Sequence, residues 1–203
     1  MFQIAINSAI EPYSISILED EKLLNEFSWS FTDTGRNNHF EGLDFIMRNL
    51  NLNLNNMNFI TILSGPGSFT GLRIGFTFAK TINFVFKKPV VAVNSFEVIK
   101  ESINLKDYAI LISAGLKEIF WFEKEVVKII KFEEIKKFIN KKVFVFPEYY
   151  LFKEFNKGVY IKIDSLNLGK IGYRKFIDGK FSDYKDLNPL YLREAETIFK
   201  KFK

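Results

Sequence analysis

The stretch Phe59 to Gly75 constrains the chain more than any other: a continuous apolar run, FITILS, passes without a break into GPGSFTG and then into a segment with apolar residues at helical spacing. An uninterrupted apolar run bounded by glycine reads as a strand buried on both faces. Such a strand needs helices packed over it, which makes the chain an α/β protein. The glycines between Gly65 and Gly75 permit positive φ and close backbone approach, and Ser68 or Thr70 is placed to cap the following helix.

The neighbouring segments fit this frame. Phe2 to Asn7, Tyr13 to Glu19 and Lys22 to Phe31 read as three successive strands, an antiparallel meander. After the polar stretch Thr32 to Asn38, apolar residues at Phe40, Leu43, Met47, Leu50 and Leu54 form one helical stripe. The buried strand follows, then a helix from about Gly71 to Phe86, a strand at Val90 to Val93 and a helix near Ser95 to Ser102. The order β-β-β-α-β-α-β-α places a meander beside parallel strands joined by helices, the half-module of actin-like and ribonuclease-H-like folds. A second series repeats that topology in reduced form: strands at Tyr108 to Ser113, Ile119 to Phe122 and Val126 to Ile130, a helix near Glu133 to Ile139, and a strand at Val143 to Phe146. The expected architecture is therefore two actin-like lobes of mixed sheets flanked by helices. Residues 1–104 form one lobe and 105–203 a smaller one, whose last residues pack back on the first. No Pro/Gly/Ser linker marks the join, so the lobes are expected to be packed rather than tethered.

Composition removes whole classes of chemistry. Among 203 residues there is no Cys and one His, which excludes disulfides, thiolate zinc sites, a cysteine nucleophile and any site built on two imidazoles. Ser-His-Asp chemistry survives only with His39 as base. No apolar run approaches the roughly 18 residues of a spanning helix, and the first residues lack the basic start of a signal peptide. The expectation is a soluble cytoplasmic protein with no membrane contact. The net charge of +5 is uneven: residues 1–100 carry −1 and residues 101–203 carry +6.

The loop Gly65, Gly67, Ser68, Thr70 and Gly71 is a candidate phosphate or nucleotide loop, since helix N-terminal amides bind anions. Its spacing is neither that of a P-loop nor Gly-x-Gly-x-x-Gly, and tight strand-to-helix turns need glycine in any case.

GPGSFTGLRIG after a buried strand resembles the signature of the TsaB (YeaZ) family, the partner subunit in bacterial threonylcarbamoyladenosine biosynthesis. FQIAINSAIEPYSISIL is similar to that family's first two strands. His39-Phe40-Glu41-Gly42-Leu43 resembles its His-Ser-Glu segment, and Asn188-Pro189-Leu190-Tyr191-Leu192-Arg193-Glu194 its C-terminal Pro-x-Tyr-Leu-Arg. The resemblance implies an actin-like (ASKHA) fold and a non-catalytic subunit that pairs with the transferase TsaD, is joined by the ATPase TsaE, forms a homodimer when alone, and meets tRNA through the complex. It implies no intrinsic cofactor or metal, with a nucleotide conceivable only at the junction with the partner.

The catalytic relatives supply a contrast. Actin-like ATPases need a carboxylate and glycine in the first hairpin, where this chain has Asn7-Ser8-Ala9-Ile10-Glu11-Pro12. TsaD-like enzymes carry two His at i, i+4 on the first helix, whereas Leu43 stands four residues after His39. His39 itself is expected near solvent at a helix start, its ring satisfied locally. The chain also departs from TsaB, with Asn7-Ser8-Ala9 in place of Asp-Thr-Ser and Ser113-Ala114-Gly115 in place of Asp-Ala-Arg. An actin-like ATPase or kinase using Ser64 to Gly75 for phosphate, and a proteolytic pair of Ser68 and His39, are the competing readings.

Helix two carries two apolar stripes, Leu72, Gly75, Phe76, Ala79 and Phe86 on one side and Ile74, Phe78, Ile82 and Val85 on another; helix one adds Phe45, Ile46 and Leu52 outside its main stripe. Such doubled faces mean deeper burial or a partner. In the light of the resemblance, the expected interface is Phe40, Leu43, Met47 and Leu50 with Leu72, Ile74, Gly75, Phe78, Ala79, Ile82 and Val85. Lys136, Lys137, Lys141 and Lys142, beside Ile135, Phe138 and Ile139, read as a solvated face of an amphipathic helix or as a site of tRNA phosphate attraction.

Overall fold

A computed structural model describes residues 1–30, 38–138, 142–183 and 185–192. It contains two five-stranded mixed sheets. In the first, β1 (Phe2–Asn7), β2 (Tyr13–Glu19) and β3 (Lys22–Trp29) form the meander, and β4 (Met57–Leu63) and β5 (Val90–Val93) add in parallel on the far side of β1, giving the order β3-β2-β1-β4-β5. In the second, β6 (Tyr108–Gly115), β7 (Glu118–Glu123) and β8 (Val126–Lys131) are the meander, with β9 (Val143–Phe146) and β10 (Val159–Tyr160) parallel to β6. Its order, β8-β7-β6-β9-β10, is the first sheet's order again. The expected repeat of topology is present in full, including a fifth strand that hydrophobic patterning did not reveal.

The helices are α1 (Asn38–Leu50), α2 (Phe69–Phe86), α3 (Ser95–Glu101), α4 (Phe132–Ile135), α5 (Tyr149–Phe155) and α6 (Ser165–Ile177). Strand alternation gives the first sheet two apolar faces. Ile6, Ile15 and Ile62 share the face under α1 and α2, where Gly42 meets Ile15 and Gly75 meets Ile62. Gln3, Leu18, Phe59 and Thr61 share the other, which α6 covers: Gly169 and Gly172 bring that helix against Leu18 and Thr61, and Phe176 stacks on Phe59 at 4.1 Å. Two of the polar side chains on this buried face pair with each other, while the Ser16 hydroxyl beside them has no hydrogen-bond partner among the described residues. Thr61 donates to Gln3 Oε1 at 2.7 Å, and Gln3 Nε2 donates to the Gly169 carbonyl at 3.0 Å.

α6 lies in the second half of the sequence yet closes the first sheet. Residues after it stay on that sheet too, with Ser182 bridging to Val90 and Leu190 N–H donating to the Ser64 carbonyl at 2.8 Å. One core cluster runs through both sheets: Ile110, Ile112, Phe120 and Phe122 join the first sheet's core, and Phe122 stacks on Phe96 of α3 at 4.5 Å. The lobes are packed. The opposite face of the second sheet, with Leu111, Phe144 and Phe146, is covered by Ile135, Leu151 and Phe155 of α4 and α5.

Two expectations are corrected here. The helix expected over Glu133 to Ile139 is a single turn, Phe132–Ile135, so Lys136 and Lys137 lie in the turn after it; Ile139 and Lys141 fall outside the described residues. The third strand ends at Trp29, and Phe31 is outside them as well. No helix among the described residues is long and apolar enough to cross a membrane.

Candidate functional site

The strand ends of the two sheets face each other across a cleft of about 1480 Å³. The β1–β2 hairpin (Ala9, Glu11, Pro12) and the loop Pro66 to Phe69 line one side, and Ser113 to Gly115, Phe120, Glu148 to Tyr150 and Tyr160 the other. This is the carboxyl end of the parallel strands β4 and β5, where open α/β sheets bind their ligands.

The hairpin locks itself. Asn7 Nδ2 donates to the carbonyls of Ile10 (2.9 Å) and Pro12 (3.1 Å), while its Oδ1 accepts from the N–H groups of Ala9 and Ile10, both at 3.2 Å. All four hydrogen-bonding positions of the amide are used. A carboxylate here would confront two carbonyl oxygens with no proton to offer them, so Asn is the residue that this turn requires. A buried, saturated amide offers a hard divalent ion neither charge nor a free lone pair. The residues present do not fit the metal-nucleotide group of actin-like ATPases.

The glycine loop is also turned inward. Ser68 N–H donates to the Ala9 carbonyl at 2.8 Å, and Gly71 N–H donates to Ser68 Oγ at 3.1 Å, making Ser68 the cap of α2, which begins at Phe69 rather than Gly71. Gly71 and Gly75 are required by closeness: a Cβ on either would collide with Ser8. The motif docks the hairpin onto the helix start. Gly65 accepts from Ser95 N–H at 2.8 Å, Gly67 lines the cleft, and Thr70 is exposed.

His39 is buried, contrary to expectation. Its ring meets Trp29 edge-on at 4.7 Å and Phe78 at 6.1 Å, its Nε2 has no hydrogen-bond partner among the described residues, and burial pushes its pKa down to about 4. Ser68 and His39 are not brought together: one caps α2 at the cleft, the other is enclosed by aromatic rings at the start of α1. No group of three or more His, Cys, Asp or Glu among the described residues is arranged to hold a metal.

The expected interface residues separate into two sets. Leu43, Met47, Leu72, Gly75, Phe78, Ala79 and Ile82 are buried in the chain's own core, and Leu50 is half-buried against it. The reason is visible at Phe78, which is 4 % exposed because His39 and Phe40 of α1 close over it. The second stripe of α2 thus divides, and only Phe40 (56 % exposed), Ile74 (44 %) and Val85 (59 %) reach the surface. Phe45, Phe69 and Phe84 join them there.

The cleft residues that sequence reasoning missed are Tyr13, Glu148, Tyr149, Tyr150 and Tyr160. Only the run Pro147-Glu148-Tyr149-Tyr150, polar and aromatic directly after an apolar strand, hinted at them. Glu148 accepts from Ser113 N–H at 2.6 Å; burial raises its pKa to about 7, against the opposing pull of that N–H and of Tyr150. Burial, and then the Glu148 charge, push Tyr150 up to about 12.

The sequence model of the family described as "TsaD: tRNA N6-adenosine threonylcarbamoyltransferase" matches residues 37–166. The chain belongs to this family. Curated proteins named TsaB are similar to this chain, as are transferases, and a solved YeaZ structure shares its fold. The TsaB protein of Buchnera aphidicola subsp. Acyrthosiphon pisum is 23% identical over 126 residues, 58% of this chain and 55% of that protein. The TsaB protein of Bacillus subtilis is 25% identical over 96 residues, 47% and 42% of the two chains. The tRNA N6-adenosine threonylcarbamoyltransferase of Thermosipho melanesiensis is 23% identical over 109 residues, 46% of this chain and 34% of that one. The matched stretch spans about half the length of the first curated relatives. YeaZ from Pseudomonas aeruginosa superposes with a TM-score of 0.71 at 14% identity, covering 94% of this chain and 99% of that one. The fold is the TsaD and actin-like (ASKHA) one. In this TsaD-family chain the C-terminal motif comes back to the glycine loop: Tyr191 packs its ring 5.4 Å from that of Phe69, and Arg193 and Glu194 lie outside the described residues.

Proposed function

We propose that the chain is a non-catalytic scaffold and activating subunit of a tRNA threonylcarbamoyl transferase complex. It pairs with TsaD, which places threonylcarbamoyl on adenosine 37 of tRNA, and contributes no reacting group of its own. The observation that carries the reading is the set of exposed apolar side chains Phe40, Ile74 and Val85 on α1 and α2, in a lobe whose first hairpin is locked by Asn7. Large side chains left bare on adjoining helices are what a partner covers. The saturated amide at Asn7 and the enclosed His39 with Leu43 four residues on support leaving the chemistry to the partner.

The same reading includes a homodimer through these helices when the chain is alone, TsaE as a further member, tRNA reached through the complex, a nucleotide at the junction between subunits, and a cytoplasmic setting. The lysines Lys136 and Lys137 remain exposed for tRNA phosphates, while Lys142 is paired with Glu123 and lies 3.5 Å from Asp107.

The test is co-elution of this chain with the TsaD of the same organism in gel filtration. Ile74→Glu is expected to fold as the parent does and to elute apart from TsaD. Phe78→Glu, which places a charge in the core, is expected to unfold instead. Separate elution of the folded parent chain, or ATP hydrolysis by the purified chain alone, would sink the proposal.

A further inference from the structure

Among the described residues, the cleft presents more acidic than basic side chains. Ser68 and Gly71 have spent their N–H groups inside the chain, and among the described residues the charged side chains lining the space are Glu11 and Glu148 against Lys153. In place of a phosphate cradle stands a set of tyrosines. The Tyr149 and Tyr160 rings meet edge-on at 5.3 Å, and Tyr13 and Tyr150 complete the wall. The two carboxylates belong to the same corner: after burial, the charges of Glu11 and Glu148 both raise the pKa of Tyr13, and Glu11 raises that of Tyr160. Aromatic faces attract cations through the negative potential above the ring. One such contact already exists at the rim, where Lys153 Nζ stands 4.9 Å from the centroid of Tyr149.

We propose that this cleft binds an alkylammonium ligand, its ammonium beside Glu148 and its methylenes against Tyr13, Tyr149, Tyr150 and Tyr160. A free polyamine and the lysine side chain of a basic peptide share that chemistry. Glu148 is met by the Ser113 amide of β6, by Tyr150 of α5 and, through its charge, by Tyr13 of β2; the other titratable groups lining the same cleft are Glu11 of the β1–β2 hairpin, Tyr149 and Lys153 of α5, and Tyr160 of β10. Burial holds the Glu148 carboxyl near neutrality, at about 7, so a cation brought beside it displaces a proton. Affinity therefore rises with pH through that value.

The test is isothermal titration calorimetry on the full chain, with spermidine in one arm and Nα-acetyl-lysine amide in the other. Saturable heat in either arm is expected, weakening by about tenfold below pH 7 and accompanied by proton release. Spermidine alone binding assigns a polyamine, and the lysine amide binding as well assigns a basic peptide. Glu148→Gln keeps an oxygen to accept from Ser113 N–H, so it is expected to melt as the parent does and to bind about tenfold more weakly. Tyr160→Leu is the second variant, with the same loss expected. Absence of heat in both arms at about 10 mM ligand, unchanged affinity in both variants, or tighter binding of ATP than of spermidine overturns the proposal. None of these measurements involves TsaD, so they stand or fall separately from the partnership.

Discussion

His39 is the side chain whose setting departs furthest from its expected one, and its surroundings make a definite prediction. Its folded pKa of about 4 lies below the ordinary 6.5, so between these values the unfolded chain binds more protons than the folded one. Stability contributed by the neutral ring is present above pH 6.5 and is lost as pH falls through 4. His39→Phe, which suits the rings of Trp29 and Phe78, is expected to flatten the dependence of the urea midpoint on pH across this window. Gly71 supports a second prediction. Gly71→Ala forces a methyl group into the Ser8 carbonyl, and a loss of about 2 kcal/mol or more is expected in chemical denaturation. Both sites show how far single residues can be read from sequence. The glycines of GPGSFTG were visible, but their use was not, because the backbone they accommodate lies some 60 residues earlier. Asn7 was visible as a missing carboxylate, while the four hydrogen bonds that explain it depend on a turn that spacing cannot describe. The tyrosines of the cleft come from β2, α5 and β10 and meet only in the fold.

At the level of elements, the first hundred residues were legible because each strand and helix carries its own period and is bounded by turn residues. β1, β2 and β5 fall where patterning puts them. The doubled apolar face of α2 was equally legible, yet its meaning was not: sheet on one side and α1 on the other account for most of it, leaving Ile74 and Val85 outside. α6 carries a signal in Asp164 as cap followed by Leu168, Gly169, Ile171 and Gly172, but two glycines in its buried stripe weaken the apolar period that marks the other long helices. Its packing is testable at one ring. Phe176→Ala removes the stack on Phe59 from a half-buried position and is expected to cost about 2–3 kcal/mol by urea denaturation, without changing the Phe40, Ile74 and Val85 surface.

Over the whole molecule, two copies of one topology are joined through one core cluster, with Phe96 stacked on Phe122 where they meet, and the second sheet has a further cluster on its other face. The division into lobes at residues 104 and 105 is a proposal about sequence units; in space α6 belongs to the first sheet. A chain truncated after residue 104 would leave Phe59, Leu18 and Thr61 bare, and it is expected to bind a hydrophobic dye and to lose its sharp melting transition, whereas the full chain melts in one step. The same arrangement sets a schedule for the chain during its synthesis. The last strand of the first sheet ends at Val93, but the helix that seals it ends at Ile177, so at ordinary elongation rates the ribosome keeps the sheet waiting for roughly 4–17 s. For that interval the nascent protein displays an unsealed apolar surface to the cell, and its yield depends on what shelters it.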